Sequence, residues 1–149
     1  MSRFSFSLQS LLELRKRQEQ EHQQHVAALQ RRRYALEDSL RRQQHQVEDA
    51  RSQLRRRLVG TLDAEDVRRF AAAAVQEQRQ IQRILPELGE LHRKIEGAQR
   101  VLLEAARRRK ALERLREQKF AEWRAAQLRQ EGRILDDLAA TSAWKEDST

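Results

Sequence analysis

Two long heptad runs separated by one short break limit what this chain can fold into. Before the break, apolar residues fall at Leu8, Leu12, Val26, Leu29, Leu36, Leu40, Val47, Ala50 and Leu54. After it they fall at Ile81, Ile84, Leu88, Leu91, Ile95, Ala98, Leu102, Ala105 and Leu112. Spacing in threes, fours and sevens puts each set on one face of an α-helix, as coiled coils require. The break is Val59-Gly60-Thr61-Leu62-Asp63. Gly60 ends helices because it accepts a left-handed backbone at little cost. Asp63 is a good N-cap, and Leu62 with Val67 fits a hydrophobic staple. Two long helices joined by so few residues bury their stripes only by folding back. The expectation is an all-α chain: two long helices in an antiparallel coiled-coil hairpin. Helix 1 spans about 8–58, the turn 59–63 and helix 2 about 64–140. Residues 1–141 then form a single hairpin, and the polar segment 142–149 is a disordered tail.

Several places depart from that plan. Phe4, Phe6 and Leu8 alternate with polar residues, an extended lead-in. The start of helix 1 lies between Ser7 and Leu11, where Ser7 as a cap competes with the capping box Ser10-Leu11-Leu12-Glu13. Arg15, Glu19 and His22 interrupt the seam, and no apolar residue occurs from Arg15 to His25. Polar seam residues lower stability and fix register or partner. Pro86 sits inside the second stripe and removes one helical hydrogen bond. The stripe continues in phase across it, which predicts a kink near Pro86 rather than a break. After Leu112 the apolar set becomes Leu115, Phe120, Trp123, Leu128, Ile134, Leu135 and Leu138, and the strict heptad slips.

Reflection about Thr61 sets the expected register. It puts Phe6 near Arg116 and the stretch Arg15 to His25 against Gly97 to Arg107; Tyr34, opposite about residue 88 by the rule, comes only loosely near Phe70. The turn lies well short of the chain's midpoint, so helix 2 overhangs beyond Phe120 by on the order of 30–40 Å. Apolar groups on an unpaired helix suggest a docking surface.

Charge and composition narrow the function. The chain is 36% charged and 38% hydrophobic, with 5% aromatics, no cysteine and a net charge of +8. That profile belongs to long charged helices rather than to a globule with a large core. The positive charge favours acidic partners. However, Glu13/Arg17, Glu37/Arg41, Asp38/Arg42, Glu65/Arg69 and Glu104/Arg108 are spaced i,i+4 with the acid first, the order that stabilises a helix surface. The basic runs Arg31-Arg32-Arg33, Arg55-Arg56-Arg57 and Arg107-Arg108-Arg109-Lys110 point around their helices and accompany no nucleic-acid module, so no specific nucleic-acid partner is expected. The isolated glycines exclude phosphate-binding loops. His22 and His25 lack converging ligands for a metal. No enzyme activity and no cofactor are expected. No signal peptide or spanning run is present, and the expected location is cytoplasmic.

The opening Phe4-x-Phe6-x-Leu8-x-x-Leu11-Leu12-x-Leu14-Arg15 resembles the N-terminus of the flagellar type III export stalk proteins, the FliJ family. Ala105-x-x-Arg108-Arg109-Lys110-Ala111-Leu112-Glu113-x-Leu115-x-Glu117-x-Lys119 is similar to that family's second signature. Asp136-Asp137-Leu138-Ala139 resembles its acidic ending, with Asp137 where the family has Glu. The injectisome stalk is the nearest alternative, and a basic coiled-coil nucleic-acid-binding or general scaffold protein is the other. The resemblance implies a non-enzymatic central-stalk component of flagellum biogenesis and motility. It would bind the hexameric export ATPase and promote its assembly and activity. It would couple that ATPase to the transmembrane export-gate protein and to export chaperones. Contact with the membrane would be indirect, at its inner face. Ring-contact candidates are Phe6, Leu8, Leu11, Leu12, Arg15, Arg108, Leu112, Leu115, Arg116, Phe120 and Trp123. Export-gate candidates are Tyr34, Phe70 and Val75.

Overall fold

The computed structural model describes residues 3–60 and 63–146, with side chains as far as Trp144. Two helices account for it: α1, Gln9–Arg57, and α2, Ala64–Glu146, which pack against each other as a helical hairpin. Among the described residues there is no strand.

The ends of the helices follow from local hydrogen bonding. Before α1 the chain is not helical. The Gln9 amide donates to Phe6 O at 3.0 Å, and Leu12 N donates to Leu8 O at 2.9 Å, which closes the first turn. At the far end Gly60 N donates to Arg57 O at 3.1 Å. Gly60 therefore ends α1 through a tightened three-residue turn. Its φ is not positive, so the left-handed backbone expected there is not used. Asp63 caps α2: its Oδ1 accepts from Glu65 N at 3.3 Å and its carbonyl from Val67 N at 3.3 Å. Glu65 and Asp66 in the first turn add favourable charge at the helix N-terminus. Leu62, the other half of the expected staple, lies outside the described residues, as does Thr61.

α2 does not end at Pro86. Nor does it end at Ala140, where the sequence reading put its close. Thr141 Oγ1 donates to Asp137 O at 2.6 Å and Ser142 Oγ to Ala139 O at 2.9 Å. These hydroxyls bond to the preceding turn instead of competing with it, and the helix runs on to Glu146.

The chain forms two compact units. One is Gln20–Leu103, which contains the turn. Val26, Leu91 and Ile95 are its buried residues, and the remaining seam positions from Leu29 to Leu54 and from Ile81 to Leu102 are half-covered. Arg32 reaches Glu87 at 2.8 Å, Gln43 Nε2 donates to Gln80 Oε1 at 3.0 Å, and Arg57 lies 3.9 Å from Asp66. The other unit is Met1–Glu19 with Glu104–Thr149. Leu12, 2% exposed, is its best-buried side chain, and Phe6 at 9% is its other buried apolar one.

Of the five acid-first surface pairs, Glu65–Arg69 and Glu104–Arg108 form, at 3.2 and 3.4 Å. Glu37 turns back to Arg33, Asp38 pairs with Arg41, and Glu13 accepts from Gln9. Such exposed pairs are worth only a few tenths of a kcal/mol, so alternative neighbours compete on nearly equal terms.

Helix regularity in α2 is weakened at Pro86 and at Gly89, Gly97 and Gly132, and two of these serve as tests. A Cβ at Gly89 would meet nothing within 4 Å. Gly89→Ala is expected to stabilise by about 0.5–1 kcal/mol. Pro86→Ala restores a backbone donor and should stabilise by about 1–3 kcal/mol. Urea unfolding followed by circular dichroism tests both; a lower midpoint for Pro86→Ala would show that α2 depends on its proline.

Candidate partner-binding surface

The apolar gap in the first stripe is filled by charge. Glu19 occupies a seam position of α1 and is buried. Arg109 of α2 donates to it twice, Nε to Oε2 and Nη2 to Oε1. The same guanidinium donates through Nη1 to Glu113 Oε2 at 2.7 Å, and Lys16 Nζ lies 4.0 Å from Glu113 Oε1. Alternating signs thus run Lys16, Glu113, Arg109, Glu19. The hydrogen bonds to Glu19 and then to Glu113 push the Arg109 pKa above its ordinary value, while burial opposes them. A raised basic pKa contributes stability that is fully present below the unfolded value and lost only as pH rises through the folded one. For a guanidinium both lie in strong alkali, so Arg109 holds its charge at every pH of interest.

Reflection about Thr61 would put Leu103 opposite Glu19. Arg109 is there instead. A reflection aligns backbones, whereas Arg and Glu side chains reach along the seam, so their pairs depart from it in both directions: Arg32 meets Glu87 rather than residue 90, and Glu19 meets Arg109 rather than residue 103. The stretch Arg15 to Glu19 therefore meets residues near Arg109 and Glu113 rather than Gly97 to Arg107.

An aromatic cluster lies in the same unit. The Phe4 ring stands edge-on to Phe120 at 5.2 Å and lies 5.8 Å from Trp123, and Phe120 stacks on Trp123 at 5.7 Å. Phe6 is buried in this unit and, with Phe4 and Trp123, lines a groove. The Trp123 Nε1–H is buried without a hydrogen-bond partner.

All eleven ring-contact candidates fall in this unit. They differ in exposure. Leu12 and Phe6 are core, and Leu11, Arg15, Leu112, Leu115 and Trp123 are half-buried. Leu8, Arg108, Arg116 and Phe120 are exposed. Arg15 donates to Gln18 at 3.1 Å and Arg108 pairs with Glu104. Further along α2, Leu128, Ile134, Leu135 and Leu138 are all more than half exposed.

Phe4, Arg109 and Glu113 are not among the contact candidates that the sequence suggests. Phe4 was visible only as part of an alternating motif. Arg109 stands in a basic run, but it is the seam position between Ala105 and Leu112, and that phase is the signal that finds it; its partner depends on register.

The gate candidates lie in the other unit and do not form one patch. Tyr34 is exposed beneath Arg33, 5.2 Å from its guanidinium carbon. Phe70 lies under Arg57 at 5.4 Å, close to the turn. Tyr34 precedes Arg57 by 23 positions, which is about 35 Å of helix, so the expected meeting of Tyr34 and Phe70 does not occur. Val75 is exposed.

The basic runs are partly committed to acids of this chain. Arg32 goes to Glu87, Arg33 to Glu37, Arg57 to Asp66 and Arg109 to Glu19. Among the described residues, no three His, Cys, Asp or Glu are placed to hold a metal ion, and no helix is long and apolar enough to cross a membrane.

A long antiparallel helix pair with a polar layer in its seam and an aromatic cluster beside its N-terminal lead-in is a coiled-coil hairpin. The flagellar FliJ protein family matches residues 4–148, essentially the whole chain, and the chain belongs to that family. It is thereby a component of flagellar protein export. No curated protein and no solved structure matches it.

The polar layer makes a direct prediction. Arg109→Met leaves Glu19 buried and unpaired and should cost about 2–3 kcal/mol. The double change Glu19→Leu/Arg109→Met should cost less than the single one, since two apolar groups can share the seam. A double-mutant cycle by urea unfolding reads this; additive losses would mean the pair is not coupled.

Proposed function

We propose that this chain is the central-stalk protein of a flagellar export apparatus, and that the unit Met1–Glu19 with Glu104–Thr149 engages the hexameric export ATPase. The observation that carries the reading is the family match over residues 4–148. The gathering of every ring-contact candidate into one unit supports it.

The physical mechanism is differential contact. A single chain placed in a ring of six cannot touch all six subunits alike. It favours one subunit's conformation over the others by whatever interaction free energy it gains there and not elsewhere. Promotion of ring assembly follows from the same linkage, because a ligand that binds the assembled state stabilises it. Arg15, Arg108 and Arg116 supply the charge that would meet acidic loops of the pore, and Leu8 and Phe120 supply exposed apolar surface. Tyr34 on one side, and Phe70 with Val75 nearer the turn, are two separate candidate contacts for the transmembrane export gate. Export chaperones are further partners on this reading, which puts the chain at the inner face of the cell membrane.

The hydrolysis rate of the export ATPase tests the ring assignment. Wild-type chain is expected to stimulate it, and Arg15→Ala/Arg116→Ala to lower that stimulation about three- to tenfold through weaker binding. Both arginines are at the surface or half-buried, so the variant's circular dichroism should match wild type. Full stimulation by the double variant would remove these two residues from the contact.

A further inference from the structure

The groove beside the aromatic cluster has a chemistry of its own. The lead-in from Arg3 to Ser7 contributes to it, as do Lys119, Glu122 and Trp123 of α2, and it holds about 540 Å³. Phe4, Phe6 and the indole give it apolar surface. Lys119 Nζ is 2.9 Å from Glu122 Oε2, while Arg3 is exposed and has no ion pair among the described residues. Two cations against one carboxylate leave the groove net positive. The Trp123 Nε1–H is the further feature: a buried donor with no acceptor. An indole can only donate, so whatever completes it must bring an acceptor. Burial strengthens a charge-assisted bond of this kind.

From these features we propose that the groove takes an acidic peptide loop of a partner protein, and that a carboxylate of that loop accepts from Trp123 Nε1–H. An apolar residue next to the carboxylate would lie against Phe4 and Phe6, and Arg3 would offset the remaining negative charge. Nε1 is covered in the free chain, so pairing needs a side-chain adjustment. Phe4 is placed to make it: it is half-buried, stands on a non-helical segment and packs on Trp123 and Phe120 through ring contacts. The identity of the partner as the export ATPase rests on the function proposed above; the groove's preference for a carboxylate does not.

Two measurements separate those claims. The first uses Trp144→Phe chain, in which Trp123 is the remaining tryptophan. Its emission is followed against an acetylated, amidated pentapeptide with aspartate between leucines, and against the same peptide with asparagine. A saturable shift with the aspartate peptide alone is expected. Equal response to both peptides, or none, overturns the carboxylate site. The second measures binding of the full chain to the hexameric export ATPase. Trp123→Phe keeps an aromatic ring and removes the donor, and it should weaken binding about tenfold, the share of one charge-assisted hydrogen bond. Wild-type binding that Trp123→Phe leaves unchanged overturns the inference and spares the stalk reading. Failure of wild-type chain to bind the ATPase, with the peptide shift intact, does the reverse. Thermal melting of Trp123→Phe checks that the fold survives.

Discussion

A helix of this polarity has no stable place to put its apolar stripe except against a second helix. Isolated helices gain little from propensity alone, and most helical stability in proteins comes from covering one face. In the unit Gln20–Leu103 that covering is done by leucines, isoleucines, valines and alanines, of which Val26, Leu91 and Ile95 are buried and the rest half-buried. No single side chain dominates. Burial of each contributes about 1.5–3 kcal/mol at most, and much less where half the surface stays wet. Cohesion of this kind is spread along the contact and leaves the register to be set by something other than leucines, since one leucine layer resembles the next.

The Glu19–Arg109–Glu113 layer supplies what the leucines do not. A buried carboxylate without a partner would cost several kcal/mol, so only the register that brings Arg109 to Glu19 is tolerable. The bidentate donation suits the planar guanidinium and would not be reproduced by lysine. The same layer explains why the stretch Arg15 to His25 can be free of apolar residues and still lie in a helix pair. It replaces apolar burial over part of that gap with a satisfied ionic network, which gains little net stability but excludes neighbouring alignments. A single buried polar group fixing alignment is the best-attested use of such residues in coiled coils.

Heptad spacing, the break at Gly60 and the cap at Asp63 made the helical hairpin legible, because each depends only on neighbours a few positions away. The three features that were misread depend on more than that. Gly60 ends α1 without a positive φ, a choice between two terminations that its residue type permits equally. Thr141 and Ser142 continue α2 because their hydroxyls find carbonyls in the previous turn, which composition alone does not reveal. Arg109 is one of four consecutive basic residues, and heptad phase alone singles it out, four positions after Ala105 and three before Leu112; its partner Glu19 is what no local pattern supplies. Tyr34 and Phe70 are apart for a simpler reason: reflection about Thr61 puts Tyr34 opposite Leu88, as the neighbouring Arg32–Glu87 pair reflects, and Phe70 lies 18 positions nearer the turn.

The aromatic cluster packs differently from the leucine seam. Both hold buried polar atoms without a hydrogen bond, Arg33 Nε, Gln43 Oε1 and Glu77 Oε2 in the seam unit and Trp123 Nε1 in the cluster. Only the cluster sets such an atom among aromatic rings beside a groove, with Phe120 left exposed. A buried unsatisfied donor costs about 1–3 kcal/mol, which a leucine at position 123 would avoid. A hairpin that only had to fold would gain from that replacement. Tolerance of the cost, next to an open groove with two cations on it, makes sense if the donor is satisfied in a complex. Departures from local consistency concentrate where a protein meets something else. The orphan donor, the aromatic rings and the net positive groove coincide at the lead-in, and that coincidence, rather than the orphan donor alone, marks it as a surface shaped by a partner.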